Sequence, residues 1–181
     1  MQTKIMILSD IHGGYYNLDK VLAIYEDEHF DRLFVLGDLF GYSYDKNDDR
    51  ILERINFVED SVLVRGNCDY GMNAEDIRQL TIEGVRFTLT HGHMYGLMKL
   101  VQTDTDIICV GHSHIPSIRC HENKYIINPG SVARSRQGEN SFAVIEDGFI
   151  RLKTIDNVTF EEVKIENLSR GTGDPNLESS V

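Results

Sequence analysis

The chain has 181 residues, with 18 Lys or Arg against 29 Asp or Glu and a formal net charge of -11. One domain of that length can bury roughly 70% of the surface its unfolded form exposes, and the three cysteines, an odd number with no x-x-spaced pair, argue against a disulfide framework or a zinc ribbon. The acidity excludes broad binding to a nucleic-acid backbone, which needs clustered Lys and Arg, and no stretch approaches the roughly 20 apolar residues of a membrane span. With no apolar run of signal-peptide length near Met1, the expected location is the reducing cytoplasm.

Taken in order, residues 4–9 are an apolar run bounded by Asp10, the pattern of a buried strand, and Gly13-Gly14 marks the turn after it. Leu18, Val21, Leu22 and Tyr25 follow at the i, i+3, i+4, i+7 spacing of a helix that covers a sheet. Residues 33–36 form a second strand ending in Gly37-Asp38. Ile51, Leu52 and Ile55 mark a second helix, with Asn47 or Asp48 as its cap. Residues 61–64 are a third strand, running into Arg65-Gly66-Asn67-Cys68-Asp69. This β-α-β-α-β alternation predicts parallel strands joined by right-handed crossovers.

The second half turns to hairpins. Strands over 80–83 and 85–90 flank Gly84, and the later one enters His91-Gly92-His93. Residues 95–101 read as a short helix and 106–110 as a strand leading to Gly111-His112-Ser113-His114. Residues 117–120 and 125–127 pair around Glu122-Asn123, and 142–145 with 149–155 around Asp147-Gly148, a strong hairpin signal. A last alternating strand covers 159–165, so a single domain is expected over residues 1–167, followed by a polar C-terminal tail over 168–181.

The polar residues that end these strands carry the functional signal. In open α/β sheets ligands bind at the carboxyl ends of the strands, and there Asp10, His12, Asp38, Asn67, His91, His112 and His114 bring two carboxylates, one amide and four imidazoles to one rim. Mixed oxygen and nitrogen ligands without thiolates suit Mn, Fe, Zn or Ni. Seven are too many for one tetrahedral zinc; they suit two metals about 3.5–4 Å apart that share a carboxylate, the arrangement used to attack phosphate esters. Gly13, Gly37, Gly66, Gly92 and Gly111 stand beside these residues, where the backbone must turn sharply or approach a ligand closely.

Asp10-x-His12, Gly37-Asp38, Gly66-Asn67-Cys68-Asp69, His91-Gly92-His93 and Gly111-His112-Ser113-His114 resemble, in order and spacing, the motifs of the calcineurin-like metallophosphoesterase superfamily. The resemblance covers residues 4 to about 165, and the short length, Cys68 and Asn128-Pro129-Gly130-Ser131 make the chain most similar to the small YfcE-type phosphodiesterases. It implies an α/β fold, a four-layer α/β/β/α sandwich with mixed sheets. It further implies two divalent metal ions, manganese foremost with nickel, iron, zinc or magnesium as alternatives. Asp10, His12 and His114 would hold one, Asn67, His91 and His112 the other, and Asp38 would bridge them. A metal-bridging hydroxide is then the implied nucleophile against a small or aryl phosphate ester.

Cys68 departs from the wider superfamily, many members of which place there a His that protonates the leaving group or steadies the phosphate. A thiol is the weaker hydrogen-bonding group, so Cys68 is either a weak donor or a small filler, and its presence favours esters with good leaving groups. His93 is a candidate phosphate contact or a surface histidine. Phe40, Tyr42 and Tyr44 are candidates for a substrate wall, while Arg134 and Arg136 are expected in a solvated loop. The rival reading is a catalytically lapsed scaffold for protein interaction, as in the retromer subunit of this superfamily. The hairpins of the second half leave a homo-oligomer open.

Overall fold

The computed structural model describes residues 2–41 and 48–166. Tyr42, Tyr44 and Asn47, and the tail expected from residue 168, lie outside the described residues.

Two sheets form the interior. The first has the order β11-β10-β9-β1-β2-β3 and the second β4-β5-β6-β8-β7. In chain order these are β1 (Ile5–Leu8), β2 (Arg32–Val35), β3 (Ser61–Leu63), β4 (Ile77–Ile82), β5 (Val85–Thr90), β6 (Ile107–Val110), β7 (Ser117–His121), β8 (Lys124–Asn128), β9 (Ser141–Glu146), β10 (Phe149–Thr154) and β11 (Thr159–Lys164). Helices α1 (Tyr15–Asp27), α2 (Asp48–Asn56) and the single turn α3 (Leu97–Leu100) complete the described elements. β1, β2 and β3 pair in parallel, as the alternation predicts, and β5, β6 and β8 are parallel in the other sheet. Both sheets are mixed, because β9 joins β1, and β4 joins β5, antiparallel.

The period of two along each strand sorts the layers. In β1, Ile5 and Ile7 join the core between the sheets, with Phe34, Phe87, Leu89, Cys109 and Ile127. Met6 and Leu8 point the other way, onto Leu18, Val21 and Leu22 of α1 and Ile51 and Ile55 of α2. On the outer face of the second sheet, Ile108 and Ile126 pack against Leu100 of α3. The result is the expected four-layer α/β/β/α sandwich.

Two boundaries differ from expectation for physical reasons. β4 starts at Ile77 rather than residue 80, since Arg78 and Gln79, one on each face of an edge strand, are both exposed and interrupt its apolar alternation. α3 is shorter than 95–101 because Gly96 keeps extended dihedrals, φ -64 and ψ 142. Three of the hairpin turns each use two residues of positive φ: Glu83 and Gly84 (49 and 80), Glu122 and Asn123 (49 and 64), Asp147 and Gly148 (52 and 78). That is the type I′ geometry whose twist matches the strands. All three lie at the end of the sandwich opposite the carboxyl ends of β1, β2, β5 and β6.

Candidate metal centre

Asp10 and His12 leave β1, Asp38 leaves β2, Asn67 follows β3, His91 follows β5, and His112 and His114 follow β6. Parallel pairing of β1, β2 and β3, and of β5 and β6, puts all seven at one rim. Asp10, His12, Asp38, His112 and His114 have φ of 54, 44, 54, 65 and 59. This left-handed conformation is uncommon for any side-chain-bearing residue, and Asp and His tolerate it better than most. Glycine opens the space. A Cβ on Gly66 would overlap the Asp38 carboxylate, and one on Gly111 would overlap Ser9 and crowd Asp10.

The hydrogen bonds fix which atoms face inward. His12, His91 and His114 each place Nδ1 on a backbone carbonyl, Phe40 O at 3.3 Å, Leu36 O at 2.8 Å and Arg134 O at 2.7 Å. A carbonyl can only accept, so Nδ1 carries the proton and Nε2 of the neutral ring presents a lone pair. Asp10 Oδ2 accepts from Ser9 Oγ and from the His112 N–H, leaving buried Oδ1 without a hydrogen-bond partner. Asp38 Oδ1 accepts from the Cys68 N–H at 2.7 Å, leaving Oδ2.

The remaining acceptors converge in two groups. In one, His114 Nε2 lies 3.1 Å and His12 Nε2 3.7 Å from Asp10 Oδ1, and the two Nε2 atoms are 3.2 Å apart. In the other, His91 Nε2 lies 3.1 Å from Asn67 Oδ1, 3.3 Å from His112 Nδ1 and 3.4 Å from Asp38 Oδ2. Asp38 Oδ2 is also 3.5 Å from His12 Nε2, so it stands between the groups. Lone pairs at such distances repel unless a cation sits among them, and donors about 2.1 Å from a shared ion stand roughly 3.0–3.4 Å apart. The donor set therefore fits divalent ions with oxygen and nitrogen preference.

The titration behaviour agrees. Asp10 and Asp38 are buried, which alone raises a carboxyl, yet His114 and His12 beside Asp10, and His91 beside Asp38, hold both below the ordinary range. The Asp10 bond raises His114, and Asp38 and Asp10 raise His91 against its burial. Both directions follow from the carboxylates, which favour positive charge on the rings that face them.

Cys68 lies against this centre, with Sγ among the donor atoms of His12 and Asp38. Burial and the Asp38 carboxylate push its thiol up to about 12, so it stays protonated, accepting a bond from Asn67 Nδ2 at 3.3 Å. His93 stacks obliquely on His91 with ring centroids 5.4 Å apart, its buried Nδ1 has no hydrogen-bond partner, and burial with the nearby His91 lowers its pKa. Arg134 and Arg136 border the centre through their backbones, Arg134 O accepting from His114 and the Arg136 N–H donating to His114 O.

Sequence reasoning missed the scaffolding. Asp69 accepts backbone N–H bonds from Asp38, Leu39, Phe40 and Gly66 at 2.8, 2.7, 3.3 and 2.8 Å, tying the loops after β2 and β3 together. Ser131 Oγ donates to Asp10 O at 2.6 Å, and Asn128 Nδ2 to Gly111 O at 2.9 Å. The one available signal was their place in Gly66-Asn67-Cys68-Asp69 and Asn128-Pro129-Gly130-Ser131.

Residues 3–147 match the calcineurin-like phosphoesterase superfamily domain. The phosphodiesterase YfcE of Escherichia coli (strain K12) is 31% identical over 155 residues, covering 75% of this chain and 82% of that protein. The chain belongs to the calcineurin-like phosphoesterase superfamily, a family of hydrolases. Among solved structures, E. coli YfcE, a phosphoesterase, superposes with a TM-score of 0.80 at 25% identity, covering 91% of this chain and 100% of that one. The fold is also shared with Vps29 of Entamoeba histolytica, solved in complex with zinc, at a TM-score of 0.70 and 21% identity over 91% and 100% of the two chains.

Proposed function

We propose that this chain is a cytoplasmic, divalent-metal-dependent phosphodiesterase that hydrolyses a small or aryl phosphate ester through in-line attack by a hydroxide shared between two cations. The observation that carries this reading is the convergence of Asp10 Oδ1, His12 Nε2 and His114 Nε2 in one group and of Asn67 Oδ1, His91 Nε2 and His112 Nδ1 in the other, with Asp38 Oδ2 between. Asp10, His12 and His114 hold one ion, Asn67, His91 and His112 the second, and Asp38 bridges. The ions supply a bound water of lowered pKa and neutralise charge building on phosphorus. Manganese is the expected ion, and nickel, iron, zinc or magnesium suit the same donors.

The chain's own groups do the rest. Hydrogen bonds to backbone carbonyls lock three imidazoles in the tautomer that faces inward, so little reorganisation accompanies loading. His93, neutral and with an unpartnered nitrogen, contacts the phosphate. Cys68 offers at best a weak proton, which favours aryl and other good leaving groups. Free thiols at Cys68, Cys109 and Cys120 support the reducing location, and no helix among the described residues is long and apolar enough to cross a membrane.

The test is hydrolysis of an aryl phosphodiester beside the matching monoester by chelator-stripped protein given Mn, Ni, Zn or Mg in turn, with Asp38→Asn as blank. Turnover restored by metal in the wild type and lowered at least about 100-fold in the variant is the expected result. Metals that bind without restoring turnover would instead point to a scaffold role.

A further inference from the structure

A second cavity opens beside the metal centre. It encloses about 330 Å³ between α3 and the outer face of the second sheet, and its lining includes Gly92, Gly111 and His112, from the loops that carry His91 and His112 of the second donor group. That volume falls in the range of small-ligand sites. Its apolar lining comes from Tyr95, Leu97, Leu100 and Ile126, and it also holds a cation. Ile118 of β7 packs toward the core between the sheets, so Ser117 and Arg119 face outward into the cavity, with Arg119 paired across the ladder to Ile126. Arg119 therefore lies roughly 7 Å along the strand from Ser117 at the rim.

Arg119 differs from most arginines of this acidic chain. Arg32, Arg54, Arg65, Arg78, Arg86 and Arg151 each meet a carboxylate. Among the described residues no carboxylate pairs with Arg119. A second cation, Lys99, stands over the ring of Tyr95, 5.7 Å from its centroid. A groove that starts at a phosphate-ester site, has an aromatic wall and ends at an unpaired guanidinium is complementary to an alcohol of matching shape and charge.

We infer that this groove is the leaving-group subsite, and that it takes an alcohol with a flat aromatic body and a second anionic group, either carboxylate or phosphate, which Arg119 receives. The term leaving group rests on the phosphodiesterase reading; the ligand chemistry of the groove does not. The products of the reaction would then be a phosphomonoester and an anionic aromatic alcohol.

The measurement is titration of the magnesium-loaded, full-length protein with 4-hydroxybenzoate, its neutral isostere 4-hydroxybenzamide and a nucleoside 5′-monophosphate, followed by methyl NMR of Leu97, Leu100 and Ile126. The expected result is that an anionic probe shifts these methyls and binds at least about tenfold more tightly than the amide, that Arg119→Ala removes this preference, and that Arg119→Lys restores part of it. Preference for the nucleotide over the benzoate assigns the anion as phosphate, and the reverse as carboxylate. Equal affinities in wild type and Arg119→Ala, shifts confined to the metal loops, or no binding at millimolar concentration each overturn the inference. Turnover of an aryl phosphodiester by the same preparations is read separately: its absence in the wild type counts against the phosphodiesterase reading, while the titration still decides the groove.

Discussion

At the scale of single residues, the centre is built from atoms that have been denied any other partner. Asp10 is the clearest case: Ser9 and the His112 N–H occupy Oδ2, so Oδ1 can only face His12 and His114. These seven residues at strand ends were legible in the sequence as candidate metal donors because chemistry restricts such donors to a few side-chain types. Cys68 was legible only as an exception. Its thiol, pushed up to about 12 by burial and Asp38, is too weak an acid to protonate an alkoxide leaving group efficiently near neutral pH. Cys68→His should raise turnover of alkyl esters relative to aryl esters by about a hundredfold, the lower end of the range for general acid catalysis. Steady-state rates on a matched alkyl and aryl pair check this, and an unchanged ratio assigns Cys68 to packing alone.

Between elements, the decisive contact is the Asp69 carboxylate. It gathers four N–H groups from two loops, and these groups hold Asp38 in its left-handed conformation beneath the centre. Asp69→Ala should cost about 1–3 kcal/mol for each buried N–H left without an acceptor, visible as a lower urea midpoint together with weaker metal binding. Asp69→Asn keeps one acceptor oxygen and should fall between. A midpoint equal to wild type in both variants would remove the brace from the account. The strands and helices themselves were readable from periodicity wherever one face is buried, as in β1, α1 and the three type I′ hairpins. β4 was cut short because the adjacent exposed residues Arg78 and Gln79 break the apolar pattern, and Asp69 was unreadable because a carboxylate that binds backbone looks, in sequence, like one that binds solvent.

The whole molecule joins its stability to its metal content through pH. His91 and His114 have raised folded-state values, so the stability their protonated forms contribute is complete below about 6.5, the ordinary histidine value, and is lost as pH rises through the raised values. Asp10 and Asp38, held low, contribute stability above about 3.8 that is lost as pH falls through their lowered values. A divalent ion held at the candidate centre would need the deprotonated imidazoles, so its affinity should rise with pH. The melting temperature of the stripped protein should fall between pH 6 and 8 while that of the manganese-loaded protein holds or rises. Differential scanning calorimetry across that range reads the gap, and a gap independent of pH would separate the histidines from metal loading. The sheet order has a consequence in time. Of the described strands β1 leaves the ribosome first, yet one of its two neighbours is β9, Ser141–Glu146, and the loop it feeds is tied down by Ser131 and His114. On the ribosome β1 must therefore wait, half paired and apolar, until Ser141–Glu146 has emerged, and a centre that includes Asp10 can close only after that; a nascent chain arrested before β9 should remain protease-sensitive whatever metal is supplied.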